Sequence, residues 1–119
     1  MKKALVLSGG GAKGAYQIGA IKALGKLDKK FDIVVGTSIG AINAAMYAQK
    51  RLFLTRLLWK YMTTDKLFDT AGENFIKHII KEFFNKGGTS FYQAELYLRR
   101  YIKENRVRNS NIEFGLVTY

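Results

Sequence analysis

Gly36-Thr37-Ser38-Ile39-Gly40 has the spacing G-x-S-x-G. A serine flanked in this way can act as a nucleophile when it sits on a sharp turn from a strand into a helix. The turn holds the serine backbone in a strained conformation and lifts its hydroxyl out of the sheet. The residues two before and two after the serine crowd each other, which favours glycine at Gly36 and Gly40. The helix after it brings N-terminal N–H groups and a positive dipole end to the same place, where negative charge would develop during attack on an ester. Thr37 and Ile39 complete this nucleophile elbow. The competing reading is an ordinary capped turn, in which the Ser38 hydroxyl satisfies the helix N-terminus.

Gly9-Gly10-Gly11-Ala12-Lys13-Gly14 is the second chemical feature. Adjacent glycines let several backbone N–H groups converge on one point, a nest suited to an anion or a transient oxyanion. Lys13 adds a cation beside it. A P-loop would require Ser or Thr after the lysine, and Gly14 and Ala15 stand there. A dinucleotide fingerprint, G-x-G-x-x-G, is literally present, but it calls for an acidic residue at the end of the next strand, where Gly36-Thr37-Ser38 lies. A tight turn packed with glycine is the plain alternative. An oxyanion hole accounts for both special turns at once.

These two turns need elements to position them. Ala4–Leu7 is an apolar run ending at glycine and reads as a buried strand. A helix is expected from about Lys13 to Leu27, with Ile18, Ile21, Leu24 and Leu27 on its apolar face and Lys22 and Lys26 opposite. Asp32–Gly36 reads as a second buried strand, and Ile39 to about Lys50 as a helix rich in small residues. Strand, glycine turn, helix, strand, tight turn, helix is a βαβα unit, so the strands should be parallel with a right-handed crossover. Ligands of such sheets bind at the carboxyl ends of the strands, where both glycine turns fall. Helices are expected over Leu52–Met62, Asn74–Asn85 and Phe91–Glu104, with a break at Gly87-Gly88 and a last strand at Ile112–Tyr119. Phe75, Ile79, Phe83 and Phe84, with Leu57, Leu58 and Trp59, either line an acyl-chain site or form core.

The chain has 119 residues, 48% of them hydrophobic, which suits one ordered domain. It contains no cysteine, which excludes disulfides and thiolate metal sites. The apolar run after Met1-Lys2-Lys3 is too short for a signal peptide. No stretch of about 18 apolar residues could span a bilayer, so a cytoplasmic location is expected. The net charge of +11 suits an anionic partner such as a membrane surface, an acidic lipid or a nucleic acid. The lysines and arginines are spread out rather than gathered in an arm, as on a solvated lysine-rich surface.

Taken together, the loop Gly9–Gly14 and the elbow Gly36–Gly40 resemble the patatin-like phospholipase family, whose N-terminal pattern is G-G-G-x-K/R-G after the first strand and G-x-S-x-G after the second. Residues 1–50 carry the resemblance. It implies a three-layer α/β/α fold with a mainly parallel central sheet, and a hydrolase acting on carboxylic ester bonds of lipids without metal or other cofactor. Ser38 would be the nucleophile of a Ser–Asp dyad, and Gly9, Gly10, Gly11 and Lys13 would belong to the oxyanion loop. The implied partners are a lipid or fatty acyl ester and an anionic membrane touched peripherally, not nucleic acid; oligomeric state is left open. An acyltransferase or thioesterase could use the same elbow, and a non-catalytic lipid- or anion-binding module is the reading from another class.

The aspartate of this family follows in an Asp-Gly-Gly/Ala motif, and the chain contains no Asp-Gly pair. Asp32, at the start of the second strand, should lie about 20 Å from Ser38, and Asp28 at the same far end. Asp65, Asp69 and Glu73 remain open as substitutes, and His78 reads as a packed or surface histidine rather than a base. The expectation is therefore that residues 1–119 are the N-terminal part of a larger catalytic domain, with the base supplied beyond them.

Overall fold

The computed structural model describes residues 1–10, 13–63 and 98–117. It is an α/β arrangement in the order β1 (Ala4–Leu7), α1 (Gly14–Lys26), β2 (Ile33–Thr37), α2 (Ile39–Ala48), α3 (Leu52–Thr63), α4 (Glu104–Arg108) and β3 (Glu113–Val117). Residues 98–101 form a further helical turn ahead of α4. The expected helix over residues 74–85 and the 91–97 part of the next lie outside the described residues.

The three strands form one parallel sheet in the order β1-β2-β3. Leu5 pairs in register with Val34, and Val34 with Phe114; Leu7 pairs with Gly36. Both crossovers step in the same direction across the sheet, and right-handed crossovers of that kind place their helices on one face. The core follows from this. Leu7, Val34, Ile18, Ile21, Ala44, Ala48 and Trp59 are buried together, with Leu5, Ile39, Leu52 and Phe114 packed around them. Alternation along the strands sends the intervening residues to the other face, where Val6 is 74% and Val117 50% exposed. The expected parallel α/β architecture is present. Among the described residues it comprises the sheet and one helical layer.

Small side chains decide how closely α2 approaches the sheet. Gly40, Ala44, Ala45 and Ala48 are all buried, and Val34 beneath them is fully buried. On α1 the buried stripe is Gly14, Ile18 and Ile21. Leu27, expected on the same apolar face, is exposed instead, because α1 ends at Lys26 and the chain turns away there.

Both helices end in the same hydrogen-bonded turn. The Lys29 N–H donates to the Leu24 carbonyl at 3.0 Å and the Asp28 N–H to Gly25 at 3.1 Å; at α2 the Arg51 N–H reaches Met46 at 3.1 Å and the Lys50 N–H reaches Tyr47 at 2.9 Å. This is the Schellman pattern, which places one residue in the left-handed region. Asp28 and Lys50 fill it, with φ of 56° and 59°. Lysine has no local side-chain bond to offset that conformation, so Lys50→Gly is expected to stabilise the protein by about 0.5–1 kcal/mol. Urea denaturation should show the midpoint rising at unchanged slope.

The expected continuous helix to Glu104 is broken at residues 102–103. Lys103 is extended (φ −110°, ψ 117°) and caps α4. Its N–H donates to Gln49 Oε1 at 2.8 Å, while Gln49 Nε2 donates to the Tyr101 carbonyl. Gln49 is buried at the end of α2. A tertiary hydrogen bond thus takes the donor that helix continuation would have used, and the chain is redirected into β3.

Candidate active site

Ser38 lies between β2 and α2 with no intervening residue: β2 ends at Thr37 and α2 begins at Ile39. Its backbone has φ 55° and ψ −127°, a combination L residues rarely hold and which costs of order 1–3 kcal/mol. The Ser38 carbonyl accepts the first helical bond, from the Ala41 N–H at 2.9 Å. The hydroxyl makes no capping hydrogen bond to α2, and Ser38 is exposed. The capped-turn alternative requires that bond, so the side chain is left available for chemistry.

The elbow is possible because two glycines let three segments meet. A Cβ added to Gly36 would lie 2.3 Å from the Gly40 carbonyl oxygen and 2.5 Å from the Ala41 nitrogen. One added to Gly40 would lie 2.3 Å from the Leu7 carbonyl oxygen and 2.5 Å from that of Ser8. Gly36 therefore closes the turn itself, and Gly40 lets α2 rest on the end of β1. That second contact brings the glycine loop alongside the serine.

Gly9 packs directly against the serine. A Cβ there would sit 3.3 Å from Ser38 Cβ and 3.9 Å from Ser38 Oγ. Gly10 has φ 148°, and its carbonyl accepts the Lys13 N–H at 3.1 Å as the loop turns into α1. Lys13 is exposed at the start of that helix, and Gly11 lies outside the described residues. Two helix N-termini, those of α1 and α2, start at this end of the sheet. Neither has an acidic residue in its first turn. Their N-terminal dipole ends and the Lys13 charge all favour negative charge here.

The structure also brings in residues that sequence reasoning passed over. Asn43 is 1% exposed on α2. Its Nδ2 donates to the Gly14 carbonyl at 3.0 Å and to Gln17 Oε1 at 2.9 Å, and its Oδ1 accepts from Trp59 Nε1 at 3.0 Å. Gln17 Nε2 donates in turn to the Ser8 carbonyl at 2.6 Å. Trp59 therefore belongs to the core beside the loop rather than to an acyl-chain lining. The signal for Asn43 was present: an amide among alanines on an otherwise apolar helix.

The described carboxylates are all remote from Ser38. Asp32 precedes β2 and accepts from the Lys3 N–H at 2.9 Å. Glu113 pairs with Lys2 at the start of β3, Asp28 follows α1, and Glu104 pairs with Arg108 on α4. Each lies towards the end of the sheet where the strands begin. Asp65, Asp69, Glu73 and His78 lie outside the described residues. Among the described residues no three His, Cys, Asp or Glu side chains gather as a metal site, and no helix is long and apolar enough to cross a membrane.

Comparison with known proteins places this arrangement. The family model for patatin-like phospholipase matches residues 5–118. A lysophospholipase NTE1 of Chaetomium globosum is 33% identical over 130 residues, covering 97% of this chain and 8% of that protein. A lysophospholipase nte1 of Aspergillus terreus is 38% identical over 94 residues, covering 66% of this chain and 6% of its own length. The mouse patatin-like phospholipase domain-containing protein 7 is 48% identical over 50 residues, 42% of this chain and 4% of that protein. The chain thus spans less than a tenth of the length of these relatives, and no solved structure matches it. With its glycine loop packed against a serine elbow and a family match over nearly its whole length, the chain belongs to the patatin-like phospholipase family.

Proposed function

We propose that this protein hydrolyses fatty acyl esters of lipids, with Ser38 as nucleophile and the backbone of Gly9, Gly10 and Gly11 as oxyanion hole. The observation that carries this reading is the conformation of Ser38: a strained, exposed serine whose hydroxyl caps nothing, packed against Gly9. Ser38 Oγ attacks the ester carbonyl carbon. The carbonyl oxygen takes up the negative charge, favoured by the two helix N-termini and Lys13. The bond to the lipid alcohol then breaks, the alcohol leaves with the proton taken from Ser38, and water releases the fatty acid from the acyl-enzyme. A serine needs a base for this. We assign that role to an aspartate outside the described residues, forming a Ser–Asp dyad. A lysophospholipid is the substrate class suggested by the names of the fungal relatives. The net charge of +11 suits peripheral contact with an anionic membrane, with the domain itself on the cytoplasmic side.

Labelling tests the reading directly. The full-length protein is treated with a fluorophosphonate probe, digested and mapped, and fatty acid release from a lysophospholipid is followed in parallel. The adduct is expected on Ser38, with release lost in proportion to labelling. An adduct on another serine accompanied by loss of activity, or undiminished activity with Ser38 fully modified, would overturn it.

A further inference from the structure

We propose that Asn43 and Gln17 are positioning residues that hang both ends of the oxyanion loop from the helix that carries the nucleophile. The inference rests on the reading of Ser38 and the glycine loop above. The loop leaves β1 at Ser8 and enters α1 at Gly14. Both of those carbonyls are held: Ser8 by Gln17 Nε2 at 2.6 Å and Gly14 by Asn43 Nδ2 at 3.0 Å. The second Asn43 N–H fixes Gln17 by its Oε1 at 2.9 Å. The Asn43 amide cannot turn to release them, because its oxygen is occupied by the Trp59 indole N–H at 3.0 Å. Trp59 also closes the space over Gly14, where an added Cβ would meet its Cζ2 at 2.8 Å.

Asn43 lies five residues after Ser38 on α2. The rigid helix that starts at the nucleophile thus also sets where the loop begins and ends, and the serine and the loop N–H groups share one frame. Burial makes this more than incidental bonding. A buried amide is costly to desolvate, and apolar groups of the same shape that replace both partners of a buried hydrogen bond are almost neutral for stability. Packing alone therefore does not call for asparagine among Ala44, Ala45 and Ala48. The placement of two backbone carbonyls does.

The consequence is kinetic. Oxyanion donors act only when they sit at the position of the developing charge, and a displacement of about 1 Å costs roughly 10²-fold. Gln17→Met keeps the length of a half-buried side chain and removes both hydrogen bonds. In the full-length protein, kcat per active site is expected to fall roughly 10- to 100-fold, with KM on a lysophospholipid changed less than about twofold. Active sites are counted by fluorophosphonate titration. Inhibition by an alkyl trifluoromethyl ketone, which forms a tetrahedral adduct on the serine, should weaken by about the same factor as kcat/KM. Asn43→Leu should do the same or more; if it does not fold, Gln17→Met decides alone. A purely structural role would lower the melting temperature and the number of titrated sites while each remaining site kept wild-type kcat and inhibitor affinity, and that result overturns the proposal. Ser38→Ala run alongside separates the two levels. Turnover surviving in Ser38→Ala sinks the site itself and this inference with it, whereas turnover lost there but intact in Gln17→Met sinks only the positioning role.

Discussion

Ser38→Ala is expected to lower ester hydrolysis by the full-length protein roughly 10⁴-fold or more, leaving only what binding and oxyanion stabilisation supply. Stability should change by less than about 0.5 kcal/mol, because the hydroxyl caps no helix end and is exposed. Ser38→Gly separates activity from strain. The φ of 55° and ψ of −127° are costly for any residue with a Cβ and cheap for glycine. The glycine variant should therefore be equally inactive yet about 1 kcal/mol more stable than wild type. Steady-state release of fatty acid and urea midpoints for the three proteins decide the matter. A glycine variant less stable than the alanine variant would mean that the elbow is not strained.

The second large effect concerns the glycines on either side. Gly36→Ala and Gly40→Ala would each force a methyl to within 2.3 Å of a backbone oxygen. Backbone carries these contacts, so no side-chain rotation relieves them, and each substitution is expected to destabilise by about 3 kcal/mol or more. That is a large share of the stability of a domain. Gly19 and Gly25 on α1 provide the contrast. Apart from the chain neighbours and the helix's own backbone, neither has an atom within 4 Å of an added Cβ, and both sit inside a helix. Alanine there should stabilise by roughly 0.5–1 kcal/mol. One chemical change thus carries opposite signs at the elbow and in α1, read from the shift in denaturation midpoint. Gly36→Ala or Gly40→Ala behaving like Gly19→Ala would show that β2 and α2 do not approach as closely as described.

The sharp turn at Ser38 was legible in the sequence because its steric demands are local. A sharp strand-to-helix turn needs glycine two residues either side of the serine, and a nest of N–H groups needs consecutive glycines. Those demands leave marks within five or six residues. The parallel β1-β2 pairing followed in the same way, from apolar runs joined by a helical period. Other features required the chain to be folded. Asn43 reads as one polar residue in an apolar helix until α1 and α3 pack against it and give its amide Gly14, Gln17 and Trp59 as partners. The end of the turn at residues 98–101 depends on Gln49, some fifty residues earlier, taking the Lys103 N–H. Leu27 fits the apolar period of α1, yet lies exposed because the helix ends at Lys26 and the chain turns away there. Local steric requirements are written in adjacent residues. Buried hydrogen bonds between distant segments depend on which helices meet, and only the tertiary structure decides that.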